Sequence, residues 1–117
     1  MRDHRKLRAF EPADELALAV YQATKAFPPD ERFGLTSQMR RAAVSIASNI
    51  VEGCARRTEA NYLRFLEIAH ASARELDYQL SLSARLGYLA ELDRARPLAD
   101  ETNRVLAGLL RSLRSED

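Results

Sequence analysis

The chain has 117 residues, of which 46% are hydrophobic and 30% are charged, and its formal net charge at pH 7 is only +1. This length suits one domain, and the balance of apolar and charged residues excludes a disordered chain and an integral membrane protein. A nearly neutral chain is also not a general polyanion binder. The single cysteine, Cys54, excludes an intrachain disulfide, and we expect it to be an inert residue of a cytoplasmic protein. The charged first ten residues lack the apolar core of a signal peptide.

Apolar periodicity predicts four helices and no strand. We place the helices at about 14–26, 36–53, 58–87 and 91–114, between a basic arm at 1–13 and a tail at 115–117.

Local signals set the predicted helix ends. Asp14 is the expected N-cap of the first helix, and Thr58 that of the third. The pair Pro28 and Pro29 ends the first helix, because proline lacks the amide hydrogen. Gly53 is the expected C-terminal stop of the second helix.

Pro97 leaves two readings of the last helix. The helix either begins near Glu91 and bends at this proline, or begins at the proline itself. We favour one helix with a bend. Four helices with short connections predict an antiparallel, up-down-up-down bundle whose aliphatic core needs no metal or cofactor.

The second helix carries one polar stripe opposite a wide apolar arc. On a helical wheel the stripe contains Gln38, Arg41, Ser45, Ser48, Asn49 and Glu52. Arg40 instead projects into the apolar arc, where an unpaired guanidinium is costly. We therefore predict that Arg40 or Arg41 pairs with Glu75 of the third helix.

Polar residues at helix borders have two interpretations here. Ser45, Asn49 and Glu52, with Glu75 and Gln79 of the third helix, are expected to be structural or subunit-interface groups. The sequence leaves open whether the stripe on the second helix lines a channel, faces solvent or stabilises a subunit contact.

The amino-acid sequences of the second and third helices resemble those of a known family. The run GLTSQMRRAAVSIASNIVEG (34–53), then SARELDYQL (72–80) and LGYL (86–89), resembles the four helix bundle proteins, also called 23S ribosomal RNA intervening-sequence proteins. Further matching positions are Arg57, Tyr62, Phe65, Leu66, Ile68 and Ala69. Relatives usually have proline where this chain has Ala47, which weakens the expectation of a mid-helix kink.

The resemblance implies an antiparallel four-helix bundle that assembles into a pentameric ring, with no established enzymatic activity. Some relatives are encoded inside segments that interrupt large-subunit ribosomal RNA genes. A more distant relative is the accessory protein of diversity-generating retroelements, a basic pentamer that binds nucleic acid and a reverse transcriptase.

We find no catalytic set in the sequence and predict that the protein is not an enzyme. Di-iron bundles need more than one Glu-x-x-His pair, and only Glu67 with His70 offers this spacing. Glu67 and His70 also fall on the charged arc of the third helix, so we predict no metal site.

Clustered basic residues favour binding of DNA or RNA. The candidates are Arg5, Lys6 and Arg8 in the arm, Arg40 and Arg41 in the second helix, and Arg56 and Arg57 after it. A ring would repeat each patch once per subunit and strengthen weak contacts through multivalency. No aromatic residue is interleaved with these cations, which favours phosphate contact over base stacking. The alternative is a scaffold for a protein partner. The wide apolar arcs of the second and third helices, and their small residues, are suited to close contact with another helix.

Overall fold

A computed structural model describes residues 1–115 and contains four α-helices, with no strand in this range. The helices are α1 (Phe10–Thr24), α2 (Leu35–Cys54), α3 (Glu59–Arg85) and α4 (Ala95–Ser115). Both α1 and α3 pack against α2 and α4, and the most extensive contact joins α2 to α3. The helices therefore surround one core, which confirms the all-α, four-helix prediction.

The core consists of aliphatic side chains that recur at helical spacing on each inner face. Burying such a side chain completely contributes roughly 1.5–3 kcal/mol. The largest apolar side chains that are fully buried are Leu16, Val20, Met39, Ile46, Ile50, Leu66, Leu76, Leu80, Leu106 and Leu110.

The N-terminal segment is more ordered than the basic arm that we predicted for residues 1–13. Helix α1 begins at Phe10, so Asp14 lies inside the helix and is not its N-cap. Pro12 is tolerated because the amides of a first helical turn have no partner within the helix. Before α1, residues 4–6 form one 3-10 turn, and Leu7 packs against the core.

Helix α3 begins as predicted, because the Thr58 hydroxyl accepts a hydrogen bond from the backbone amide of Asn61 at 3.2 Å. Beyond its end, Gly87 has φ +80°, a left-handed conformation that glycine adopts without strain.

The predicted bend in the last helix is wrong. Helix α4 begins at Ala95, and Pro97 occupies the third position of its first turn. There the missing amide hydrogen costs no helical hydrogen bond. The Asp93 carboxylate accepts from the Ala95 amide at 2.9 Å and stabilises this start.

Gly53 is not the helix stop that we predicted. A glycine at this position allows α2 and α3 to approach each other closely. Helix α2 continues through it to Cys54, and Gly53 is buried. A Cβ at this position would lie 3.0 Å from the Cβ of Phe65. Further along the same pair of helices, Ser45 and Ser72 share a hydrogen bond of 2.9 Å.

Candidate nucleic-acid interface

Arg40 joins α2 to α1 and does not contact Glu75. Its Nε donates to the Thr24 hydroxyl at 2.8 Å, and a terminal nitrogen donates to the Tyr21 carbonyl at 3.4 Å. The guanidinium also lies over the Tyr21 ring, 4.7 Å from its centroid. The predicted pair with Glu75 is therefore wrong for Arg40, because hydroxyl, carbonyl and ring partners are all available on the neighbouring helix. The two hydrogen bonds use two of the five N–H donors of the guanidinium.

Arg41 and Glu75 lie beside one groove between α2 and α3, with a volume of about 740 Å³. They form no ion pair within residues 1–115, so the predicted pair is wrong for Arg41 as well. Glu75 instead accepts a long hydrogen bond of 3.4 Å from Gln79 Nε2. Gln79 Oε1 is buried without a donor in the part of the chain that the structure describes.

The other polar residues predicted to be structural satisfy one another. The Asn49 amide donates to the Ser45 carbonyl at 2.8 Å and to the Ser45 hydroxyl at 3.0 Å. Glu52 accepts from Arg56 at 2.6 Å, one helical turn away. These contacts are consistent with a structural role.

Two of the predicted phosphate-binding cations already have carboxylate partners. Arg5 donates to Asp3 at 3.0 Å, and this hydrogen bond lowers the pKa of the Asp3 carboxyl. Arg56 pairs with Glu52, and its guanidinium lies 5.0 Å from the centroid of the Phe65 ring. These pairs reduce the positive charge that the two arginines offer to a polyanion.

Three cations without such partners meet at the side of α4. Lys6 and Arg8, both predicted candidates, line a groove of about 450 Å³ together with Arg104. None of the three takes part in an ion pair within residues 1–115. The rest of the lining is apolar, namely Leu7, Ala9, Val105, Gly108 and Leu109. We call this the arm groove.

Positive charge continues from the arm groove over α4 to α3. Arg104 also lines a second groove with Arg74 and His70, in which Asp77 is the acidic lining residue. Burial lowers the pKa of His70, and the charges of Arg74 and Arg114 lower it further. Arg104 was missed from the sequence because it is an isolated arginine on a helix, and only the fold brings it to the arm.

The family model of the 23S rRNA-intervening sequence proteins matches residues 5–109. The chain belongs to this family. A crystal structure at 1.70 Å of a protein with unknown function, from the S23 ribosomal protein family of Bacteroides thetaiotaomicron VPI-5482, is similar in fold. Its TM-score is 0.78 at 24% sequence identity, over 88% of this chain and 95% of that one. No curated protein is significantly similar in sequence.

Four other residues that the sequence singled out are Glu67, His70, Cys54 and Arg57. Glu67 accepts from Arg114 at 2.7 Å, and residues 1–115 contain no cluster of His, Cys, Asp and Glu that could hold a metal. Burial raises the pKa of the Cys54 thiol, which opposes formation of a reactive thiolate. Arg57 is exposed at the turn between α2 and α3 and forms no ion pair within the described range. No helix within these residues is long and apolar enough to cross a membrane.

Proposed function

We propose that this protein is a non-enzymatic, self-associating helical bundle of the cytoplasm that binds nucleic acid through phosphate contacts at the arm groove. The observation that carries this proposal is that Lys6, Arg8 and Arg104 line one groove, and that no carboxylate of residues 1–115 lines it with them. When unpaired cations of this kind contact phosphates, counterions that were condensed on the nucleic acid are released, and this release drives binding. The continuation of positive charge to Arg74 extends the surface beyond one contact.

Self-association would make such a small patch effective. The resemblance to the family implies a pentamer, and a ring of five copies would present the three cations five times. The groove between α2 and α3 supports self-association, because Arg41 and Glu75 lie beside it and neither forms an ion pair within residues 1–115. A neighbouring subunit could supply both missing partners.

We also propose that the helices alternate in direction. Met39 near the start of α2 lies 3.2 Å from the Ser83 hydroxyl near the end of α3. At the other end of α2, Gly53 lies beside Phe65 near the start of α3. This order of contacts supports an antiparallel α2–α3 pair and, with the short connections, an up-down-up-down bundle.

Binding across a salt series tests the proposed function. Fluorescence anisotropy would follow a labelled RNA hairpin and a labelled DNA duplex from 50 to 300 mM salt, with molar mass measured by light scattering in the same buffers. These concentrations span the range over which phosphate contacts weaken by orders of magnitude. We expect log K to fall linearly with log salt concentration, and Arg104→Gln to reduce both affinity and slope.

Arg32→Gln is the matched control, because it removes one exposed positive charge in the connection between α1 and α2, outside the arm groove. It should change the slope far less than Arg104→Gln does. An intact oligomer that binds neither probe at 50 mM salt would exclude the proposal. The second candidate, a scaffold for a protein partner at the groove between α2 and α3, would then be favoured by Arg41 and Glu75, which line that groove and form no ion pair within residues 1–115.

A further inference from the structure

The floor of the arm groove contains a glycine that packing does not require. Gly108 lies in the interior of α4, where glycine is about 1 kcal/mol less favourable than alanine. A Cβ built on it would meet only the end of Arg111, at 3.9 Å. A helical glycine with room for a side chain leaves backbone open to close approach by another molecule. The backbone at Gly108 is therefore open to close approach by a ligand.

The other lining residues define the chemistry of that ligand. Leu7, Val105 and Leu109 are half-buried and offer an apolar surface beside the open backbone of Gly108. Lys6, Arg8 and Arg104 provide positive charge around it. A ligand that fits both features has an apolar face and adjacent negative charges. The volume of about 450 Å³ lies within the range of clefts that hold small ligands or parts of larger ones.

We propose that the arm groove holds one unpaired base of a single-stranded nucleic acid, with its flanking phosphates on Lys6, Arg8 and Arg104. This inference rests on the proposed function and names its substrate. Bases in a duplex are paired and stacked, so they cannot enter the groove with their faces exposed, whereas bases of single strands can. The lining residues have no neutral hydrogen-bonding side chain with which to read a base edge. Binding is therefore insensitive to base sequence.

The decisive comparison keeps the phosphates and removes the bases. The probes are a fluorescein-labelled 15-nucleotide oligouridylate, an abasic strand with the same number of phosphates, and a duplex of the same length. We expect the wild-type protein to bind the oligouridylate about tenfold more tightly than the abasic strand, as burial of part of one base face predicts.

Gly108→Leu should abolish this difference, because its side chain fills the open space above the helix. Its salt slope should remain that of the wild type, since the three cations are retained. Ser48→Leu is the control, because it adds the same side chain to an exposed position of α2 outside the arm groove. It should preserve the tenfold preference.

A measurement on the unmodified protein does not depend on the folding of a variant. Oligouridylate carrying 4-thiouridine would be crosslinked by light, and the modified peptide would be identified by mass spectrometry. Crosslinks within residues 6–9 or 104–109 would support the proposal. Crosslinks only outside these ranges would overturn it. Equal affinity for oligouridylate and abasic strand would also overturn it while leaving phosphate binding intact, and failure to bind any probe would exclude the proposed function as well.

Discussion

Replacing Gly53 by alanine should destabilise the fold, although alanine is the better helix former. The added Cβ would lie 3.0 Å from the Cβ of Phe65 and 3.4 Å from the backbone oxygen of Tyr62. Neither atom is the end of a flexible side chain, so neither can move without moving α3. The hydrogen bond of 2.9 Å between Ser45 and Ser72 opposes separation of the two helices.

Two opposing contributions decide whether Gly53→Ala raises or lowers the free energy of unfolding. Overpacking of a tight contact costs about 1–3 kcal/mol. The gain from replacing a helical glycine is at most about 1 kcal/mol, and it is smaller here because Gly53 is the penultimate residue of α2. We therefore expect Gly53→Ala to lower the free energy of unfolding by about 1–2 kcal/mol.

Gly108→Ala is the matched comparison, because it makes the same change where a Cβ has room. It should raise the free energy of unfolding by about 0.8–1 kcal/mol. Urea denaturation followed by circular dichroism would measure both variants at one protein concentration, since the proposed self-association would couple stability to concentration. A Gly53→Ala variant at least as stable as the wild type would refute the reasoning, because it would show that α2 and α3 separate without cost.

Three further predictions concern a helix cap, an interhelical arginine and a histidine. Thr58→Ala should lower the free energy of unfolding by about 1 kcal/mol in urea denaturation, because the N-cap hydrogen bond of α3 is lost. Arg40→Ala should lower the free energy of unfolding, because its hydrogen bond to Thr24 is lost. In a double-mutant cycle this effect should add to that of Glu75→Ala, because the two residues do not interact. A coupling energy above about 0.5 kcal/mol would contradict the structure. Folding lowers the pKa of His70 below its ordinary value of 6.5. The neutral ring therefore contributes its full stability above pH 6.5, and this contribution is lost as the pH falls toward the lowered pKa. His70→Gln should flatten this part of the curve of unfolding free energy against pH, whereas His4→Gln, which leaves that ring unchanged, should retain it.

Sequence patterns predicted the helices well where an inward face or a local cap decided the structure. The core of α2 and α3 follows the apolar arcs of the helical wheels except at Val44, Ile68 and Leu86, which are exposed. The Thr58 cap requires only a hydroxyl three residues before the amide from which it accepts a hydrogen bond. Both signals are local, and no knowledge of neighbouring helices is needed to recognise them.

The two proline errors have one physical cause. Pro12 was placed outside α1 and Pro97 was taken as a bend inside a longer α4, yet each is the third residue of its helix. The amides of the whole first turn lack partners within the helix, so proline is compatible with several positions there. Proline therefore indicates a nearby helix start without fixing the residue at which the helix begins.

Charged residues were harder to interpret, because their roles depend on partners distant in the chain. Arg40 was correctly placed on an apolar arc, but its Thr24 and Tyr21 partners belong to a different helix from the one predicted. Conversely, Arg104 has no basic neighbour in sequence and becomes part of a cationic groove only because the fold places it on the same groove as residues 6–9. Local charge density selected Arg5 and Arg56, whose nearest partners are the carboxylates beside them. For phosphate binding, the cations that matter are those that the fold leaves unpaired, and a linear sequence cannot separate them from arginines that stabilise the protein itself.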